Sequence, residues 1–116
     1  MKGGIGLLLS FVDLEGYQLP GLIRIGPGTT AGTMHDDQGF PAVIHGGEGT
    51  VHGTLWSVDE ENREAVLASI DLIHGIGPGR NPSTHARTLV MEGGRILAFS
   101  WHWRGPPPSP ELPDGS

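Results

Sequence analysis

The stretch Gly46–Gly75, GGEGTVHGTLWSVDEENREAVLASIDLIHG, decides the fold. Thr50–Val58 is β-branched and aromatic enough for a strand, and Gly53 in its middle marks a bulge or a close backbone approach. Ser57-Val-Asp-Glu60 has the spacing of a capping box, with Asp59 as a second N-cap candidate. Asp59, Glu60 and Glu61 suit the positive end of a helix dipole. Val66, Leu67, Ile70 and Ile73 recur at helical spacing, so one face is apolar. Gly75 is a natural helix stop. The segment therefore reads as turn, strand, capped amphipathic helix, with His74 closing the helix beside Asp71.

Working outward, Ile5–Val12 is a continuous apolar run whose length fits a buried strand. Tyr17–Ile25 reads as a strand broken at Pro20-Gly21. Gly26-Pro27-Gly28 is a turn, and Thr29–His35 the next strand. Asp36–Gly39 is a turn, then Phe40-Pro41 and a short strand over Ala42–His45. After the helix, Gly75–Ser83 is a loop and Thr84–Met91 a strand. Glu92–Arg95 is a Gly-Gly hairpin turn, and Ile96–Trp103 is the last strand. Phe99, Trp101 and Trp103 share one face of it, with Ser100 and His102 on the other.

Composition sets bounds. The chain has 116 residues, the size of one small domain. Glycine and proline are abundant at 20 and 10 residues, but five of the prolines follow Arg104. Residues 105–116 (GPPPSPELPDGS) are therefore expected to be a flexible, Pro-rich tail to a domain over 1–104. Net charge is −6 with seven Lys and Arg, which argues against nucleic acid and anionic membranes. There is no cysteine, so disulfides and thiolate zinc sites are excluded. No apolar run is long enough to span a bilayer, and Gly6–Val12 is too short and too weakly flanked by charge for a signal peptide. A soluble cytoplasmic protein is the default expectation.

The ordered set Phe40-Pro41-Ala42, Val51-His52-Gly53, Ile70-Asp71-Leu72-Ile73-His74-Gly75, His85-Ala86-Arg87 and Ile96–Trp103 resembles the gamma-glutamylcyclotransferase-like (AIG2-like) family. Order and spacing agree from Gly26 to Arg104. The resemblance implies an α+β fold: a small, mixed, strongly bent sheet or β-barrel of about six or seven strands with one main helix. It also implies a small-molecule site at the end of the first strand, with no cofactor. Two positions depart from the family pattern. Its acid/base glutamate falls on His74, and its Tyr-Gly-Ser/Thr-Leu loop is replaced by Ser10-Phe11-Val12-Asp13.

In that family a carboxylate takes a proton from the substrate's α-ammonium, and the freed amine closes on its own γ-carbonyl to give 5-oxoproline. Histidine can serve as a base, but a neutral imidazole lacks the charge that attracts an ammonium. Two functions follow. One is a cyclotransferase with His74 as surrogate base and Ser10, Phe11, Val12, Asp13, Phe40, Pro41, His85 and Arg87 as substrate-binding residues. The other is a catalytically inactive small-molecule binder, or an oligomeric module, on the same scaffold. For His74 the structural alternative is a dipole-stabilised helix end.

Asp71 either orients the imidazole, bonds loop amides or pairs with Arg87. Arg87 either binds a carboxylate or ties its strand to the helix end. His45, Glu48 and His52 with His85 or His102 would make a cupin-like metal site, but they lack a paired His-x-His, so no metal is expected. No lysine follows the glycine-rich turns, which disfavours a P-loop. The Trp101/Trp103 stripe is read as core or as a subunit contact, which makes a homodimer one expectation.

Overall fold

The structure, a computed structural model, describes residues 6–77 and 84–113. The loop expected over Gly75–Ser83 lies outside the described residues from position 78 onward, as does the end of the chain from 114. Five strands and one α-helix are present among the described residues: β1 (Gly6–Ser10), β2 (Leu22–Asp37), β3 (Phe40–Val58), α1 (Glu60–Ile73), β4 (His85–Glu92) and β5 (Ile96–Trp103). They form one sheet in the order β2-β3-β1-β5-β4.

β1 is central because it is apolar on both faces. It pairs antiparallel with β3 (Leu8 opposite Trp56) and parallel with β5 (Leu8 opposite Phe99). A strand covered on both sides reads as a continuous apolar run rather than an alternating one. Leu8 and Leu9, which point to opposite faces, are both fully buried. Leu8 joins the main core with Leu14, Trp56, Val58, Val66, Leu67, Ile70 and Trp101. Leu9 joins a smaller core with Leu55, Val90 and Ala98 on the other face.

The helix begins as expected at Asp59, whose carboxylate accepts from the Asn62 N–H at 3.0 Å; Ser57 belongs to β3 instead. Val66, Leu67 and Ile70 are its buried residues. At about 1.5–3 kcal/mol each, they hold the helix on the sheet more firmly than its own propensity does.

The α+β fold appears as expected, as the bent sheet rather than the barrel, and the expected strand count is corrected. Five strands appear, not six or seven, because two pairs of short strands fuse. Gly26-Pro27-Gly28 and Gly46–Gly49 do not end strands. They shift the register within the β2–β3 ladder, between Arg24 and Gly26 and between Ala31 and Gly32. Gly32 pairs with His45 and Ala31 with Thr50, so residues 46–49 loop out of β3. Bulges of this kind bend the strand and increase its twist. The bend brings β2 against the β4–β5 turn, where Gly93 N–H donates to Thr29 O at 2.8 Å and the Thr30 hydroxyl to Met91 O at 3.1 Å. Among the described residues the sheet stays open: β2 and β4 are its edges, and no ladder closes a barrel.

Gly53 is a close approach, not a bulge. It pairs in register with Gly28. A Cβ at Gly53 would lie 2.6 Å from Ser10 O and 2.9 Å from Phe11 Cδ1. The glycine therefore lets the end of β1 lie directly on β3.

The segment expected to be a flexible tail makes defined contacts through residue 112. Leu112 N–H donates to Met34 O at 2.7 Å, and Ser109 bonds to His35 and Asp36. No described helix is long and apolar enough to cross a membrane.

Candidate functional site: the His74 cluster and the loop cleft

His74 caps the C-terminus of α1. Its backbone N–H reaches Ile70 O and Asp71 O, and its ring Nδ1 lies 3.0 Å from Ile70 O. A carbonyl only accepts, so Nδ1 carries the proton and Nε2 the lone pair in the neutral ring. The ring stacks on Trp101 (centroids 5.4 Å apart, planes 11° apart). The rings of Phe40 and His85 meet it edge-on, both at 5.2 Å. Only 6% of the residue is exposed. Burial pushes its pKa down from 6.5 to about 4; the Ile70 carbonyl opposes the shift and nearby His85 adds to it. At neutral pH the ring is uncharged, so no imidazolium sits at the helix dipole. Taking a proton from an amino-acid ammonium, with its reference pKa near 8, would be uphill by about 5 kcal/mol.

Asp71 uses both carboxylate oxygens elsewhere. Oδ1 accepts from Trp101 Nε1–H at 2.9 Å, and Oδ2 pairs with Arg87 at 3.1 Å. This matches the expected Asp71–Arg87 pairing and ties the helix end to β4 and β5. The Arg87 guanidinium also lies over Phe99, 5.9 Å from its ring centre. His85 is buried, with Nε2 3.4 Å from Pro41 O and its ring against Phe40 and Trp103. Burial lowers its pKa; the Pro41 carbonyl and Asp37 act in the opposite direction, and His102 adds to the lowering. Phe40, Pro41, His74 and His85 thus lie together, in a packed aromatic cluster.

Ser10, Phe11, Val12 and Asp13 converge elsewhere. All four line a cleft of roughly 440 Å³, with Glu15, Arg24, His52, Gly53, Thr54 and Trp56. Within the loop, the Ser10 hydroxyl donates to Val12 O at 2.9 Å and accepts from Val12 N–H at 3.2 Å, while Asp13 Oδ1 accepts from Glu15 N–H at 3.0 Å. These bonds fix the loop as β1 leaves the sheet. Asp13 and Glu15 supply negative charge, and Arg24 supplies positive charge. Trp56 Nε1 is buried with no hydrogen-bond partner among the described residues. His74 is not part of this lining.

Arg24, Thr54 and Trp56 line this cleft without having been among the site residues expected from the sequence, and His52 was considered there only as a metal ligand. Arg24 and Trp56 stand opposite each other across the β2–β3 ladder. That juxtaposition depends on the bulged register, which residue types alone do not give.

A larger cleft, roughly 570 Å³, lies between the residue 46–49 excursion and the β4–β5 turn, with Glu48 at its wall. His45 borders it. Neither ring nitrogen of His45 has a hydrogen-bond partner among the described residues, and the ring lies 4.9 Å from that of His102. Burial, then repulsion from His102, pushes its pKa down from 6.5 to about 4. Among the described residues, no three His, Cys, Asp or Glu side chains gather as a metal site would require. His52 lines the loop cleft instead.

The sequence model described as "Gamma-glutamyl cyclotransferase, AIG2-like" matches residues 8–116. Several solved structures share the fold. An uncharacterized protein from Pyrococcus horikoshii is 18% identical, with 95% of this chain and 87% of that one covered and a TM-score of 0.66. An AIG2-like protein from Mus musculus is 16% identical, with 98% and 89% covered and a TM-score of 0.66. A structure described as a gamma-glutamyl cyclotransferase is 10% identical, with 97% and 74% covered and a TM-score of 0.56. No curated protein sequence matches the chain.

Proposed function

The chain belongs to the AIG2-like gamma-glutamyl cyclotransferase family, and from that premise we propose that it binds a small amino-acid-like molecule in the Ser10–Asp13 cleft without cyclising it at His74. The observation that carries this reading is the separation of the two groups of residues. The loop lines an open cleft with charges of both signs, whereas the imidazole at the glutamate position is packed between Trp101, Phe40 and His85. A molecule with one ammonium and one carboxylate, such as a γ-glutamyl amine, matches Asp13 and Glu15 on one side and Arg24 on the other. Trp56 Nε1 is a further donor in search of an acceptor, and a buried donor left unpaired costs about 1–3 kcal/mol. A carboxylate that reached it after a small adjustment of the wall would recover that cost.

The ordered β1 loop limits the conformational entropy lost on binding. His74, which stands at the position of the family's acid/base glutamate, is packed away from the cleft, so binding and turnover are expected to part company in this chain. Thermal denaturation against a panel of γ-glutamyl amines and free amino acids tests the binding. At a ligand concentration one hundred times Kd, stabilisation of about 2.7 kcal/mol is expected. Arg24→Ala should weaken binding about tenfold or more, the worth of a charge-assisted bond. No stabilisation by any member of the panel, or full binding by Arg24→Ala, would contradict the reading.

A further inference from the structure

We propose that the C-terminal segment is a strap whose Leu112 sets the position of Phe11 and so shapes the loop cleft from behind. The proposal rests on the reading that this cleft takes the ligand. Both ends of the strap are anchored. At its start, Trp103 Nε1–H donates to Pro106 O at 2.8 Å. Pro106, Pro107 and Pro108 then restrict the backbone, since each fixes its own φ, which limits the entropy lost on docking.

At its far end the strap engages three successive residues of the β2 edge. Leu112 N–H donates to Met34 O at 2.7 Å. His35 Nδ1–H donates to Ser109 O at 2.8 Å, while its Nε2 accepts from the Thr33 hydroxyl at 2.8 Å. The Ser109 hydroxyl accepts from Asp36 N–H at 3.0 Å and donates to Asp36 O at 2.8 Å. His35 is buried with both ring nitrogens engaged, so the contact is built into the sheet, not laid upon it. An edge strand covered in this way is also shielded from pairing with other chains.

The link to the cleft runs through apolar packing. Met34, Val43 and Val51 form a small buried cluster, and two partly buried side chains close it: Leu112 of the strap and Phe11 of the cleft loop. Phe11 also packs on the core of Leu9, Leu55, Val90 and Ala98, and it stands against Gly53. Without the Leu112 side chain the cluster is open on one side, and Phe11 has room to sink into it. The cleft wall then moves, although no ligand contact has been altered.

Hydrogen exchange of the ligand-free 116-residue chain tests this. Leu112→Ser keeps the backbone bond to Met34 and removes only the apolar contact. Exchange at Phe11–Asp13 and at Met34–Asp36 should speed up about tenfold, with the amides of α1 unchanged. Faster exchange confined to residues 105–113, with Phe11–Asp13 unaffected, would overturn the proposal. If α1 also loosens, the milder Ser109→Ala decides, with the same two segments expected to respond and the same failure to overturn it. Because this readout needs no ligand, it fails separately from the binding reading. Where a panel compound binds, Leu112→Ser should also weaken its Kd several-fold, and unchanged affinity beside faster loop exchange would overturn the claim that the strap shapes the cleft.

Discussion

Trp101→Ala should remove about 3–5 kcal/mol of folding stability, the range for truncating a buried aromatic side chain. Trp101 is 2% exposed and lies in the main core with Leu8, Trp56 and Ile70. Its ring is the platform on which His74 stacks, and its Nε1–H is one of the two partners that hold Asp71. The substitution therefore opens a cavity, exposes the imidazole face and leaves a carboxylate oxygen without a donor. The Asp71–Arg87 pair would remain, but its Arg87 side chain is about one-third exposed, and a pair of that kind contributes little. Against the usual 5–15 kcal/mol of a natural domain, the loss is large enough to leave part of the population unfolded at 37 °C. Urea denaturation checks it: a lower midpoint at an unchanged slope is expected. Trp101→Phe should cost less, because it keeps much of the stacking area and loses the donor. A loss below about 1 kcal/mol in Trp101→Ala would mean that this ring does not hold the His74 cluster together.

Stability should also fall steeply as the solution is acidified below pH 6.5. His74 and His45 both have pKa values near 4 in the folded chain, lowered from 6.5, and that of His85 is lowered as well. A lowered folded pKa means that the unfolded chain takes up the proton first. The stabilisation is fully present above the unfolded value and is lost as pH falls from 6.5 toward 4. By pH 4.5 each of His74 and His45 should have cost on the order of 2 kcal/mol. His85 adds to this in the same direction. Repulsion adds to burial at both sites: His85 beside His74, and His102 beside His45, lower the neighbour's pKa further. Urea midpoints measured from pH 8 to pH 4.5 should be flat above 7 and drop below 6.5. A profile that stays level to pH 4.5, or rises on acidification, would show that these rings are not held neutral by burial.

The legible parts of the sequence were those where one local rule had no competitor. Ile96–Trp103 as a strand and the apolar run of β1 each follow from spacing and propensity, and each appears. The Asp59 cap, Gly53 and the Asp71–Arg87 pair were legible only as one of two or three alternatives, and the structure takes one in each case. The glycine-rich breaks in β2 and β3 misled because glycine serves a turn and a bulge equally well. Only the partner strand decides which, by continuing to pair on both sides of the break. The contacts of Ser109 and Leu112 were hidden for a related reason. Proline-rich composition reports that a segment cannot form its own ladder, and it is silent about an exposed edge elsewhere that can accept Leu112 and Ser109. His74 was found, but its surroundings depend on which way a helix-capping side chain turns, and here Trp101 and Ile70 O settle that.

Release of 5-oxoproline from a panel of γ-glutamyl amines and peptides, followed from pH 6 to 9, bears most directly on the role of His74. The wild-type chain should release none above the uncatalysed background, and His74→Ala should be indistinguishable from it. Turnover by the wild type that disappears in a folded His74→Ala would contradict the packed, uncharged role assigned to this imidazole.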